Sequence, residues 1–316
     1  MDRVPVVRAL VRRVAAIGKE VQDGQTKAAR LRGLSAWVGF WVLCLLTASA
    51  WMMPEEGGSS LQRAVLCGVA GFVALLFGWR RHGVAFWVWM KVVLAGVLMV
   101  GVPTILFGMS VHGVSSLGRA VVTTLAPVMV CLAVSQRGRS ASEEELAWRL
   151  VGPALAGVAG VLLLFPFDMP ESLRGWVMLG VVVLAVGMIA VAGVWLQRVS
   201  EGLGLAAVLA AVLLGNALVL GVSGLVQGER AVVPGALAWL GLAEIVLLVW
   251  LVWAMPPLRL MGRFLAVPLV AVLEGFILMR PSLTVRMGAG LGLLVLAVGW
   301  ILRARTEEGA AGFSLR

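Results

Sequence analysis

Long apolar runs, broken by short stretches of Arg, Gly, Pro and Glu, fill the chain after residue 33. The runs are continuous rather than two-periodic, so they predict helices and not the alternating strands of a membrane barrel. Crossing a hydrocarbon core takes about 20 apolar residues in a helix, whose backbone groups are satisfied within the segment. Ten spans follow: Leu34–Met53, Ala64–Trp79, Val84–Met109, Leu117–Val134, Leu150–Phe165, Trp176–Leu196, Leu203–Val226, Val232–Trp253, Phe264–Met279 and Met287–Leu302. The second, fifth, ninth and tenth are short and are expected to borrow a turn from their flanks, while the third is long enough to tilt or bend at Pro103.

Composition agrees with this pattern. With 61% of 316 residues hydrophobic and 13% charged, the chain has more apolar surface than a soluble fold of its size can bury. The fold class expected is therefore an all-α membrane protein.

The net charge of +10 reflects a bias between alternate loops. With the N-terminus inside, the cytoplasmic side collects Arg3, Arg8, Arg12, Arg13, Lys19, Lys27, Arg30 and Arg32 from the tail. It also takes Arg80, Arg81, Arg137, Arg139, Arg149, Arg198, Arg259, Arg263, Arg303, Arg305 and Arg316. The opposite side holds Arg63, Arg119, Arg174, Arg230, Arg280 and Arg286. Both termini are thus expected to be cytoplasmic, and nucleic acid is discounted as a partner. Trp51, Trp79, Trp148, Trp176, Trp195, Trp253 and Trp300 fall near span ends, where an amphipathic ring prefers the headgroup layer. In the tail, residues 1–33, Val4, Val7, Leu10, Val11, Val14 and Ile17 form one stripe amid basic residues. That pattern suits a helix lying on an anionic leaflet, and equally a solvated basic extension.

Enzymatic chemistry finds little support. Gly221-Val222-Ser223-Gly224 matches the short serine signature of intramembrane proteases, but His82 and His112 precede it and lie in loops. Asp2, Asp23 and Asp168 are the only aspartates, and all lie outside the spans, leaving no acidic pair for Mg²⁺. Cys44, Cys67 and Cys131 sit within spans without metal-ligand spacing and read as small core residues. Neither an enzyme, a metal nor a cofactor is expected. Ala48-Ser49-Ala50 resembles a cleavage site, but the preceding tail is too long and polar for a usual signal peptide.

Ionisable residues at membrane depth are the remaining candidates, because a charge there is costly unless it faces a partner or a cavity. Lys91 lies in the third span, Glu244 near the middle of the eighth and Glu274 toward the end of the ninth, with Arg119 just inside the fourth. Lys91 and Arg119 can also snorkel to an interface; Glu244 is too deep for that.

The halves repeat a plan. In the first, Leu125-Ala126-Pro127-Val128 in the fourth span precedes a charged hinge, Arg137 to Arg149 with Glu143-Glu144-Glu145, and Gly152-Pro153-Ala154-Leu155 opens the fifth span. In the second, Ala266-Val267-Pro268-Leu269 precedes Arg280-Pro281-Ser282-Leu283-Thr284 and then Gly288-Ala289-Gly290-Leu291. Five helices per copy is an odd number, so the copies are expected to enter the membrane from opposite sides. The units are 34–167 and 173–303, followed by a cytoplasmic tail, 304–316. Pro127 and Pro268 are expected to bend the fourth and ninth helices.

These motifs, with Val114-Ser115-Ser116-Leu117 leading into the first, resemble the drug/metabolite transporter superfamily and its ten-helix bacterial EamA-type branch. The resemblance covers roughly residues 34–302 and is specific only over 108–164 and 259–302. Pro281 stands where that branch usually has glutamate. The resemblance implies a bacterial inner-membrane secondary transporter working by alternating access, with helices three, four, eight and nine lining a central cavity.

Lys91, Arg119, Glu244 and Glu274 all fall on those helices. The expectation is export or exchange of a small polar or amphipathic metabolite. Lys91 and Arg119 would attract an anionic group, and Glu244 or Glu274 would take a cationic group or a coupling proton. Glu274 and Arg119 could pair as an outer gate. Membrane lipids and a small-molecule substrate are the partners expected, and the plan is compatible with a homodimer. A lipid flippase or scramblase, and a scaffold or sensor acting through its basic tail, are the alternatives.

Overall fold

A computed structural model describes residues 33–50, 59–78, 86–137, 141–165, 169–230, 233–279 and 284–304. The described residues contain helices and connecting turns, with ten spans long and apolar enough to cross a membrane. The first is α1 (Gly33–Ala50) and the second α2 (Ser60–Gly78). The third joins α3 (Phe86–Gly96) to α4 (Val102–Ser110) through a π-turn, Val97–Gly101. The fourth comprises α5 (Ser116–Thr123) and α6 (Ala126–Arg137). Then come α7 (Ala141–Leu164), α8 (Leu173–Val199), α9 (Leu205–Val226) and α10 (Ala236–Ala254). The ninth span comprises α11 (Pro257–Met261) and α12 (Arg263–Met279), and the tenth is α13 (Val285–Arg303).

The chain is a multi-pass membrane protein by the chemistry of its surface as well as its span lengths. Phe72, Phe77, Leu184, Leu218, Leu296 and Trp300 are all exposed, an arrangement favourable in lipid and costly in water. Inside, Phe40 and Leu43 of α1, Leu196 of α8, Leu251 of α10 and Leu265 of α12 are fully buried in one core. Cys44, Cys67 and Cys131 are buried free thiols, as their apolar settings predict.

Several boundaries shift from the sequence expectation. Helix α7 starts at Ala141, so Glu143 and Glu144 occupy its first turn rather than a hinge; carboxylates there complement the helix dipole. The ninth span starts at Pro257, well before Phe264, because Leu258, Leu260 and Met261 find buried positions. Arg259 and Arg263 therefore belong to the span and not to a loop. The basic tail, His82, Asp168, the Pro281 hinge and residues 305–316 lie outside the described residues.

The fourth and ninth spans are each broken ahead of the proline expected to bend them. Leu125 and Thr124 donate backbone bonds to Val122 and Val121, closing α5 in a tight turn two residues before Pro127. Pro127 then sits in the first turn of α6, where its missing N–H leaves no helical bond unmade. Pro268 lies within continuous α12, and the break of that span falls earlier, at Gly262, whose N–H bonds Arg259. The third span is interrupted by the π-turn, with Val102 N–H on Val97 O, just ahead of Pro103.

Among α2 to α13, two helix pairs pack most extensively, α2 with α9 and α7 with α13. Both use glycine. A Cβ on Gly71 would meet the Leu214 backbone nitrogen at 3.0 Å. A Cβ on Gly160 would meet Gly290 O at 2.8 Å, and one on Gly290 would meet Gly160 O at 2.8 Å. Such backbone contact suits helices associating in lipid, where close packing replaces the hydrophobic drive. The third span packs on the sixth, while α10 packs on α2 and on α9.

The end of α9 also fastens the start of α2. Gly228, at φ 68°, ends α9 in the left-handed conformation, with Gly228 N–H on Leu225 O and Glu229 N–H on Gly224 O. That turn delivers Glu229 to the beginning of α2, where Oε2 accepts from Leu61 N–H at 2.8 Å. Replacing Glu229 by alanine strips α2 of this cap and is expected to lower stability by about 1 to 2 kcal/mol. Thermal unfolding of the purified protein in detergent checks this, and an unchanged midpoint would show the cap to be redundant.

Candidate functional site

The two buried-depth glutamates both turn toward α1. Thr47 Oγ1 lies 2.6 Å from Glu244 Oε1, and Ser49 Oγ donates to Glu274 Oε1 at 3.3 Å. Residues two apart on a helix point about 200° around its axis from one another, so α10 and α12 flank α1 on different faces. The Trp250 ring of α10 lies directly against Gly39 of α1, where any side chain would overlap it. Thus a small-residue position brings α10 in, and Thr47, two turns further along α1, meets its carboxylate.

Thr47 gives the contact a proton-dependent form. Its Oγ1 also lies 2.9 Å from Leu43 O, yet a hydroxyl carries one proton. With Glu244 ionised, Thr47 donates to the carboxylate. With Glu244 protonated, the carboxyl donates to Thr47, and Thr47 donates to Leu43 O. Both states keep a hydrogen bond to the glutamate, so the site accommodates gain or loss of one proton without orphaning the group.

Arg263 opens α12 directly after the break at Gly262, and its guanidinium carbon stands 4.5 Å over the Phe264 ring. Its Nε is buried and has no hydrogen-bond partner among the described residues. Arg63 of α2 approaches α10 from another side, with Nε 3.8 Å from the Cβ position of Gly241, about one turn from Glu244. Its Nε too is buried without a hydrogen-bond partner among the described residues.

The other expected cations are not in this cluster. Lys91 is exposed on α3 and has no polar partner among the described residues. Arg119 is half-buried on α5, and Glu274 turns to Ser49. The structure therefore sets both glutamates against hydroxyls of α1, Glu244 on Thr47 and Glu274 on Ser49.

A second buried polar group lies in α9. Asn216 is fully buried and donates from Nδ2 to Val212 O at 2.7 Å and to Gly96 O at 3.4 Å, while its Oδ1 lies 2.6 Å from the Cβ position of Gly101. It thus packs against the π-turn of the third span, and glycine at 101 is what admits it. Nothing in the sequence around Asn216 separates it from the apolar residues flanking it. Ser223 is bonded by Gln227 at 2.9 Å. Exposed His112 lies in the turn after α4.

No family model matches the chain, and no curated protein matches it. A crystal structure of another protein aligns over 87% of this chain and 97% of its own length, with a TM-score of 0.62 at 17% identity, and so shares this helical fold.

Proposed function

We propose that the chain is a secondary transporter that moves a small polar or amphipathic metabolite by alternating access, with Glu244 as its coupling group. The observation that carries this reading is the Thr47–Glu244 contact, a carboxyl at membrane depth whose hydrogen bond exists in either protonation state. A glutamate serving only to hold helices together has no need of that provision. Intramembrane carboxyls are rare, and proton relays are among their main uses.

The same reading includes the EamA-type resemblance and two inverted five-helix repeats in an inner membrane, with both termini in the cytoplasm. Helix pairing supports the repeat. Under a five-helix offset, the second and seventh spans exchange, as do the fifth and tenth, and these pairs pack most extensively among α2 to α13. The packing of the third span on the sixth is matched by the contact of the eighth with the first through Trp250, Gly39, Glu244 and Thr47. Broken fourth and ninth spans are a further correspondence.

Purified protein in sealed liposomes, screened for saturable uptake of amino acids, nucleotide precursors and amphipathic ions under a pH gradient, tests the proposal. Saturable flux above that of empty liposomes is expected for one of these classes. Lipid scrambling without solute flux would replace transport by the flippase reading. Thr47→Val keeps the side-chain shape and removes the hydroxyl, leaving Glu244 short of a bond worth about 1 to 3 kcal/mol. Initial rates are expected to fall roughly tenfold, by the same free-energy scale, while Thr47→Ser retains most of the activity.

A further inference from the structure

We propose that the start of the third span binds one anionic phospholipid, its headgroup phosphate held by Lys91 and its acyl chains lying along α3 over Met90 and Leu94. The site goes beyond the transport reading and does not depend on it.

The packing of α3 on α9 fixes the depth of Lys91. A Cβ on Gly96 would meet Val212 of α9, one on Gly101 would meet Asn216, and one on Gly215 would meet Val93 and Val97. Residue numbers rise together along this contact, so the two helices run parallel. About one and a half turns back along both, Lys91 stands level with the first turn of α9. The end of α2 marks the same level, because a Cβ on Gly78, its last residue, would meet Ala207 N at 3.2 Å. Lys91 is therefore within about a turn of the place where α2 ends and α9 begins. A helical side chain leans toward the N-terminus of its own helix, which carries the ammonium outward to the depth of lipid phosphates.

The surroundings of Lys91 are those of a lipid-facing surface. Trp87 and Leu94, a turn before and a turn after it, are exposed with it, as are Phe86 and Met90 alongside. The opposite face of α3, with Val92, Ala95 and Gly96, is buried. Water against a wall of Trp87, Met90 and Leu94 is costly, whereas acyl chains meet it favourably. Phe86 and Trp87, 70% and 74% exposed, and Phe77 at the end of α2 make an aromatic edge, and an indole suits the boundary between hydrocarbon and headgroups.

Charge selects the headgroup. Lys91 has no polar partner among the described residues. No aspartate or glutamate occurs from residue 57 to residue 142, and the segment between α2 and α3 adds Arg80 and Arg81. Glu201, in the turn ahead of α9, is engaged, and not with Lys91. A zwitterionic headgroup brings its own cation to this place and offsets the attraction, while a net anionic one does not.

Native mass spectrometry of the full chain in detergent, with phosphatidylglycerol and phosphatidylcholine of identical chains supplied together, tests the site. Lys91→Met is expected to weaken retention of the most tightly held phosphatidylglycerol about fivefold, the effect of one basic side chain at a membrane surface, and to leave phosphatidylcholine unchanged. Lys91→Arg should keep the lipid. The thermal midpoint of Lys91→Met in phosphatidylcholine should equal that of the wild type, since the side chain has no partner among the described residues. Inorganic phosphate should not displace the lipid, because it lacks the chains that α3 supports. In liposomes, Leu94→Cys should resist a membrane-impermeant maleimide, against a background of buried native thiols.

Phosphatidylglycerol held as firmly by Lys91→Met as by the wild type overturns the proposal, as does equal weakening by Lys91→Arg and Lys91→Met. Displacement by inorganic phosphate would make this an anion site without a lipid, and ready labelling of Leu94→Cys would make the face part of a water-filled path; either result also overturns it.

Discussion

Glu244→Gln is expected to lower solute flux at least tenfold and to flatten its dependence on pH. Glutamine keeps the size of the side chain and a donor and acceptor for Thr47, so the contact between α1 and α10 survives. The variant loses only the capacity to change charge. The position is then fixed in the neutral state of a protonated glutamate. Initial rates in liposomes across the pH range check the effect, with thermal unfolding as the control that the variant is folded. A flux and pH profile equal to the wild type would remove Glu244 from the mechanism. A parallel loss of stability would assign it to structure.

The second large effect is structural. Gly160→Leu, or its counterpart Gly290→Leu, forces α7 and α13 apart where their backbones touch. The first atom each new Cβ would meet is a carbonyl oxygen at 2.8 Å, which cannot swing aside as a side-chain tip would. The expected cost is about 3 kcal/mol or more, at the upper end for overpacking, because no rotamer change relieves it. Size-exclusion profiles in detergent and the unfolding midpoint would show it. Gly292→Leu on the same α13, where a Cβ meets nothing within 4 Å, is expected to be tolerated.

These two effects mark how far the sequence could be read. The ten spans were legible because lipid demands continuous apolar runs, and that demand acts on each helix separately. Glu244 and Glu274 stood out for the same reason, as charges in places where charge is expensive. Their partners did not. Thr47 and Ser49 are small hydroxyls, tolerated in a membrane helix because they can bond to its own carbonyls, so they leave no mark on a hydropathy pattern. Ser49 draws attention in the sequence only as the middle of Ala48-Ser49-Ala50.

Arg263 was hidden by its position. A basic residue next to an apolar run is ordinarily a topology signal, and Arg263 fits that pattern as well as Arg303 does. What separates them is that Pro257–Met261 folds as an additional helical turn with Leu258, Leu260 and Met261 buried, drawing Arg263 inward. That is a tertiary outcome, decided by which neighbouring helices provide a surface. Lys91 shows the converse: isolated within its span in the sequence, it remains exposed in the fold. The π-turn before Pro103 belongs with these cases, since Gly101 and Asn216 meet only when the third and seventh spans pack.

The most direct test is proton movement coupled to solute. Liposomes containing the protein, an internal pH dye and no imposed gradient are given a transported solute from outside. The expected result is a solute-dependent pH change inside wild-type liposomes that is absent with Glu244→Gln. Solute entry without any proton movement, or a pH change of equal size in the variant, would contradict the assignment of Glu244 as the coupling group.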